Sequence, residues 1–289
     1  MEEPEDSPNR AYVRWLYPAL LVVAALAVVS FVLLPRFTED DPLESVGEEG
    51  SAARAIAAMF EGQMTCTAGE LNESRSVLAC YQQTDQQVAI VFVQADRSGR
   101  VASYTVETQP LADTPDTGQV IAVANQVAAV VTPGEDFADC SYTHETPFFC
   151  FGSLASWESS DLPPVESTGT KKNLPDVEEL GEGLNARGWE CEFGICIHDG
   201  TTMTVVESAT GLGLQFNAPV DAAHVRAAAD ELLAEIGDDT EELPEWTATI
   251  DGTLDIIVAD GLVIGYLPQI GEAGILVVDE VAGVLPGTA

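Results

Sequence analysis

An uncharged apolar run near the N-terminus constrains this chain more than any other feature. Residues 16–34 read LYPALLVVAALAVVSFVLL and contain no acid and no base. As a helix they would extend about 28 Å, close to the roughly 30 Å hydrocarbon thickness of a bilayer. Trp15 and Tyr17 stand at one end, and aromatic side chains favour the headgroup level. The run predicts a single transmembrane helix that contacts the lipid bilayer.

The alternative interpretation of this run is a cleaved signal peptide. The apolar core of such a peptide usually has about 7–15 residues and ends at a small-residue cleavage site. The run here is longer and continues directly into PRFTEDDP. Arg10 and Arg14 precede it and Arg36 follows it, which favours a cytoplasmic N-terminus. We therefore expect an uncleaved signal anchor in the cell membrane, with residues 1–15 in the cytoplasm and the C-terminal domain outside it.

The charge of the chain excludes one class of partner. It carries 48 acids against 11 lysines and arginines, for a formal net charge of −37 at pH 7. Such a surface repels nucleic acid and anionic lipid headgroups. We predict no nucleic-acid partner. A composition rich in alanine, valine, glycine and acids is typical of a high-GC or salt-adapted bacterium.

Six cysteines follow the apolar run, and none precedes it: Cys66, Cys80, Cys140, Cys150, Cys191 and Cys196. Outside the bacterial cytoplasm, disulfides are the expected state of cysteines. The six occur as three local pairs, which predicts the disulfides Cys66–Cys80, Cys140–Cys150 and Cys191–Cys196. For the last pair, a hairpin whose strands are joined by residues 192–195 would place the two cysteines opposite each other.

The alternative to disulfides is a zinc site, because His144 and His198 lie near cysteines. The paired cysteines are separated by 13, 9 and 4 residues, and none of these spacings is the C-x₂-C of a zinc knuckle or a redox motif. A third alternative is a reduced, purely structural set of cysteines. We predict disulfides, with no metal ligand and no cofactor.

The remainder of the chain is predicted to comprise an acidic spacer, 35–50, a first unit, 51–158, a linker, 159–176, and a second unit, 177–289. Each unit contains, in order, a helix, strands bearing a cysteine pair, a strand pair, a helix and a hairpin. In the second unit, residues 220–237 predict a strong amphipathic helix, and WTATI at 246–250 predicts a strand.

The sequence therefore predicts an α+β fold: an N-terminal transmembrane helix, then an ectodomain of two duplicated α-β-β-β-β-α units with antiparallel sheets stapled by disulfides. The order of elements resembles that of the type III secretion chaperone-like fold. The resemblance concerns element order alone, and no function is carried over from it.

No catalytic motif occurs in the chain, and we predict no catalytic residue. His198 precedes an Asp-Gly turn and His224 lies in the first turn of a helix, so both are expected at the surface. We predict a membrane-anchored, extracytoplasmic protein of the bacterial envelope with a binding or scaffold role and a protein partner in the membrane or cell wall. An apolar patch near Trp157 or Trp246 would favour this hypothesis.

Two alternative functions are an envelope hydrolase and the ectodomain of a sensor that works with a partner. The hydrolase would use a carboxylate pair, and a cleft holding two close, buried carboxylates would favour it.

Overall fold

The computed structural model describes residues 41, 43–84, 87–110, 117–135, 147–165, 174–207, 211–216, 222–236, 242–250, 253–259, 261–268 and 274–279. The chain divides into two units, residues 1–41 and 42–289, and every described helix and strand belongs to the second. The predicted cytoplasmic segment 1–15, the apolar run 16–34, Cys140 and His144 lie outside the described residues. No helix in the described ranges is both long enough and apolar enough to cross a membrane.

The first half of the second unit forms one antiparallel sheet and two α-helices, preceded by a 3-10 turn at Glu44–Val46. The helices and strands are α1 (Ala52–Phe60), α2 (Thr117–Val131), β1 (Thr65–Asn72), β2 (Arg75–Gln83), β3 (Gln87–Asp96), β4 (Val101–Pro110), β5 (Phe148–Phe151) and β6 (Leu154–Glu158). The strand order is β1-β2-β3-β4-β6-β5, and every neighbouring pair is antiparallel.

The second half forms a sheet of the same kind. Its elements are α3 (Val177–Ala186), α4 (Ala222–Ile236), α5 (Glu242–Thr249), β7 (Glu190–Glu192), β8 (Ile195–His198), β9 (Thr201–Glu207), β10 (Gly211–Phe216), β11 (Asp255–Ala259), β12 (Leu262–Pro268) and β13 (Gly274–Asp279). The strand order is β11-β12-β13-β10-β9-β8-β7, again antiparallel. The α+β class with antiparallel sheets agrees with the prediction.

The two sheets are connected in the same way. Each begins with a helix and four strands in a meander, β1 to β4 and β7 to β10. A helical segment follows, and the chain then returns so that its last strand pairs with the fourth one, β6 with β4 and β13 with β10. The first half adds two strands after its second helix, and the second half adds three.

The sheets and helices stack in four layers. One core lies between the first sheet and helices α1 and α2, and another lies between the second sheet and helices α3, α4 and α5. A third core joins β2 and β3 to β11 and β12, so the two sheets pack against each other. The strands β2 and β3 are consequently covered on both faces.

Strand alternation produces this arrangement. In β2, Leu78 and Cys80 belong to the core with the helices, whereas Val77 and Ala79 belong to the core between the sheets. In β3, residues 88–93 read VAIVFV and are all buried, because a strand covered on both faces needs apolar side chains at every position.

Polar contacts also join the two sheets. The Tyr81 hydroxyl donates a hydrogen bond of 2.8 Å to Oδ1 of Asp255. The backbone N–H of Gly261 donates to the carbonyl of Glu70 at 3.0 Å. Glycine is required at position 69, where β1 approaches β11, because a Cβ atom there would lie 2.5 Å from the carbonyl oxygen of Val258.

One predicted element is wrong. The segment WTATI, expected to be a strand, lies in the helix α5 and the residue after it. Its alternation places Trp246 and Ile250 four positions apart, which is also a helical spacing, and both side chains are buried. Burial of this one face against α4 and the second sheet favours the helix over the β propensity of threonine and tryptophan.

Candidate functional site

The predicted disulfides appear at equivalent places in the two halves. Cys66–Cys80 joins β1 to β2, and Cys191–Cys196 joins β7 to β8. Cys150 is also disulfide-bonded. Its predicted partner, Cys140, lies outside the described residues. None of the cysteines that the structure describes is free.

The second disulfide closes a short hairpin, residues 190–198, which we call the stapled hairpin. Its turn consists of Phe193 and Gly194 alone, so the loop is shorter than the expected 192–195. Both turn residues have positive φ, 52° and 77°. Two such residues match the twist of the flanking strands, and glycine adopts that backbone without strain. Phenylalanine does not, because its Cβ is crowded there.

The outer side of the stapled hairpin is apolar. Phe193 is 96% exposed, Ile195 49% and Ile197 47%, and these are the large apolar side chains exposed among the described residues. Strand alternation explains the two isoleucines, because Cys196 between them points into the core of the second half. No described element covers the outer face here, since the first sheet packs on β11 and β12 at the other end.

Acidic side chains border this apolar surface. In the register of β7 and β8, Glu192 lies opposite Ile195, and Glu190 lies opposite Ile197. A groove of about 500 Å³ adjoins the turn, between α3 and the hairpin, and Glu178, Glu182, Glu192 and Phe193 are among the residues that line it. The site is an apolar centre with a carboxylate rim.

The inner side of the hairpin is held firmly against the body. The side-chain oxygen of Asn185 in α3 accepts the backbone N–H of Cys191 at 2.8 Å. Trp189, which precedes β7, is 4% exposed and belongs to the core of the second half. Close by in sequence, Arg187 forms an ion pair with the buried carboxylate of Glu231 on α4. The exposed side chains of Phe193, Ile195 and Ile197 therefore lie on a part of the chain that is held in place by the core.

His198 at the end of β8 meets His224 on α4. Their ring centroids are 5.6 Å apart, and Asp199 places Oδ2 3.6 Å from Nε2 of His198. Both histidines are partly buried rather than fully solvated. The sequence did not signal this meeting, because 26 positions separate the two residues and only the packing of α4 on the sheet brings them together.

Comparison with protein-family models, curated proteins and solved structures finds no match to this chain.

The tryptophans do not form the exposed apolar patch that would favour a binding role. Trp157, Trp189 and Trp246 are 8%, 4% and 6% exposed and belong to the cores. The exposed apolar surface lies instead at the stapled hairpin. Sequence reasoning had the signal available, since Phe193 stands in a tight turn between two cysteines.

The hydrolase alternative depends on a pair of buried carboxylates. Two glutamates are buried among the described residues, each 3% exposed. Glu107 lies on β4 of the first sheet, while Glu231 lies on α4 over the second sheet and is neutralised by Arg187. Neither side chain lines the grooves described here, so the geometry gives this alternative no support.

Two further grooves lie in the first half and at the junction of the sheets. One, of about 600 Å³, is bordered by α1 and includes Arg54 and Met64; the other, of about 720 Å³, includes Tyr81 and Thr253. The hydroxyl of Tyr81 is already bonded to Asp255. Neither groove presents a large exposed apolar side chain.

Proposed function

We propose that this chain is a single-pass membrane-anchored, extracytoplasmic binding protein of the bacterial envelope, and that it docks a protein partner through the stapled hairpin. The observation that carries the proposal is Phe193, which is 96% exposed and held at a φ of 52°. The anchor is the apolar run 16–34, and the disulfides accord with an oxidising compartment.

Phe193 is unfavourable for folding in two ways. A bulky residue at positive φ costs roughly 1–3 kcal/mol, and its exposed ring gains nothing from burial. Asparagine or glycine would fit the same turn with less strain. The presence of phenylalanine at this position, despite its cost to the fold, is explained if a binding partner covers the ring.

The charges around the hairpin define the partner. Glu190 and Glu192 lie opposite the two isoleucines, and Glu178 and Glu182 line the groove beside the turn. The whole chain carries a net charge of −37. A complementary surface has an apolar cavity for Phe193 and arginines or lysines at its rim. The occupant that fits this surface is a basic protein segment. An anionic bilayer would be repelled by the same carboxylates.

Site-specific photocrosslinking in intact cells tests the docking. A photoreactive phenylalanine analogue at position 193 or 197 should crosslink to one protein, whereas the same analogue at the exposed control position Arg97, in the β3–β4 turn, should not. The captured protein is then purified and titrated against the full chain in detergent. Equal crosslinking from all three positions would argue against a docking tip.

The titration supplies the quantitative test. Phe193→Ser should weaken binding about 10- to 150-fold, the equivalent of the 1.5–3 kcal/mol for burying such a side chain. The affinity should also fall as salt rises, because the rim contacts are between charges. Arg97→Ser is the control and should bind as the parent chain does. An unchanged affinity of Phe193→Ser would refute the docking proposal.

The proposed membrane topology is tested separately. Protease added to intact cells should digest the C-terminal domain and leave only the N-terminal anchor. Protection of the domain would overturn the proposed topology without deciding whether the stapled hairpin binds a partner.

We also infer that the two halves, with boundaries near 51–158 and 177–289, arose by duplication of one unit. The shared strand order and the disulfide between the first and second strands of each sheet support this origin. A related chain that contains one such unit, with its disulfide between the same two strands, would support the duplication. Separate relatives of each half whose sequences are unrelated to each other would contradict it.

A further inference from the structure

The residues His198, Asp199 and His224 form a cluster whose ligand atoms, one from each side chain, all lie within 4.8 Å of one another. His198 ends β8, Asp199 follows it in the turn, and His224 comes from the first turn of α4. We propose that this cluster binds a divalent transition-metal ion of the Zn²⁺ type through two imidazole nitrogens and one carboxylate oxygen. The site is distinct from the apolar outer side of the stapled hairpin.

The distances suit a tetrahedral ion. Ligand atoms bonded at about 2.1 Å around such an ion lie roughly 3.4 Å apart. Nε2 of His198 and Oδ2 of Asp199 are already 3.6 Å apart. The His224 ring crosses the His198 ring nearly edge-on at an interplanar angle of 67°. No two of the three ligand atoms are more than 4.8 Å apart, so rotations of the side chains can complete the ligand set.

His198 is prepared for coordination by its second nitrogen. Nδ1 lies 2.9 Å from the carbonyl oxygen of Gly188, to which a protonated Nδ1 donates. This bond fixes the tautomer in which Nε2 of the neutral ring keeps its lone pair, and Nε2 is the nitrogen that faces Asp199. Metal-binding histidines commonly hold their other N–H on a backbone carbonyl in this way. Trp189 packs on the ring at a centroid distance of 5.2 Å and limits its rotation.

His224 supplies an independent observation. Its Nδ1 is buried and has no hydrogen-bond partner among the described residues. A buried polar atom left unpaired destabilises the fold. A metal ion in the cluster gives this nitrogen a partner when the ring turns toward the ion. No described side chain supplies another partner.

The ligand chemistry selects the class of ion. Two imidazoles and a carboxylate suit Zn²⁺, Cu²⁺ or Ni²⁺, whereas Mg²⁺ and Ca²⁺ prefer oxygen ligands only. Three protein ligands leave one tetrahedral position for water or for a group on another molecule. The acidic surface concentrates cations near the site but does not by itself produce a stoichiometric one.

The test is calorimetric titration of Zn²⁺ into the full chain in detergent, purified without a histidine tag and stripped of metal by a chelator. Salt of about 0.15 M and an excess of Mg²⁺ suppress diffuse binding to the acidic surface. We expect one Zn²⁺ per chain, and Co²⁺ in its place should give the visible absorption bands of a four-coordinate N/O site.

Asp199→Asn is the decisive variant, because Asp199 is 80% exposed and asparagine tolerates its φ of 46°. It should weaken Zn²⁺ binding about 10-fold or more, and His224→Gln should weaken it further. Asp230→Asn removes the same charge from an exposed position on α4 and should leave the affinity unchanged.

The outcomes separate cleanly. Loss of affinity in Asp199→Asn and His224→Gln, but not in Asp230→Asn, supports the site. Several weak sites that respond equally to all three substitutions, or a single site indifferent to Asp199→Asn, would overturn it. Melting of each variant in chelator shows whether His224→Gln still folds, and Asp199→Asn decides the matter if it does not.

Discussion

Removing the hydroxyl of Tyr81 should weaken the contact between the two sheets. Tyr81 on β2 donates to Asp255 at the start of β11, 174 positions later, with Oη 2.8 Å from Oδ1. The ring is 7% exposed and belongs to the core between the sheets. Tyr81→Phe keeps the ring and its packing and deletes only the donor, so the variant isolates one polar contact.

The structure sets the size of the effect. A hydrogen bond to a charged group contributes about 1.5–3 kcal/mol. Asp255 is only partly buried, and its Oδ2 also accepts from the hydroxyl of Thr249 at 3.1 Å, so water and Thr249 compensate in part. We expect Tyr81→Phe to lower the free energy of unfolding by about 1.5 kcal/mol. For a body of this size that is a fall in Tm of about 3–6 °C.

A double-mutant cycle provides the assay. Urea unfolding of the full chain in detergent is followed by tryptophan fluorescence for the parent, Tyr81→Phe, Asp255→Asn and the double variant. Tyr104→Phe is the control, because it removes a buried hydroxyl from β4, in the core with the helices and away from the Tyr81–Asp255 contact. The coupling energy should be about 1 kcal/mol. A coupling below about 0.3 kcal/mol, within the additivity of independent sites, would refute the reasoning.

The same contact predicts a dependence on alkaline pH. Burial, and secondarily Asp255, raise the pKa of Tyr81 well above its usual range. A tyrosine whose folded pKa is raised stabilises the fold fully below its unfolded pKa, near 10, and this contribution is lost as the pH rises above that value. Between about pH 10 and 12, the parent should therefore lose more stability than Tyr81→Phe does. An equal loss in both chains would contradict the assignment.

Three further predictions follow from the packing. Gly69→Ala should destabilise the fold by about 1–3 kcal/mol, because the new Cβ would clash with the backbone of β11. The control Gly181→Ala in α3 should be neutral or stabilising. Calorimetric Tm values of the two variants test this difference. Phe193→Asn should raise the free energy of unfolding by up to about 1 kcal/mol and abolish crosslinking from position 197. A fall in stability would mean that the backbone of Phe193 is not strained. A lysine-specific protease should cut the chain only at Lys171 and Lys172, the two lysines of the sequence. The two fragments should co-elute under native conditions and separate in urea, because the core between the sheets holds them together. Separation without urea would contradict that core.

Local features of the fold were predictable from the residues. Ser51 caps α1, a position where serine is favoured, with its Oγ accepting the N–H of Arg54 at 3.4 Å. The helix expected over 220–237 appears as α4, and the paired cysteines lie opposite each other in both described hairpins. Each of these depends on neighbours within a few positions, where sequence patterns carry the information.

Long-range features were not predictable in the same way. The continuous apolar run of β3 indicates a strand buried on both faces, but nothing in it identifies β11 and β12 as the cover. The WTATI segment fits two periodicities, and only burial against its neighbours selects the helix. The meeting of His198 with His224 depends on where α4 packs on the second sheet, which no spacing in the chain encodes.

The ends of the sheets have a consequence for how the protein behaves at high concentration. An unpaired strand edge invites pairing with another chain. Here the edge strands β1 and β11 contact each other, and a backbone hydrogen bond from Gly261 to Glu70 joins the chain beside them. The other two edges, β5 and β7, are only 4 and 3 residues long, and β7 carries two glutamates and a covalent link to β8. At these described edges a strand of another copy can therefore pair with only a short stretch of backbone, and we expect crowding not to cause edge-to-edge pairing there.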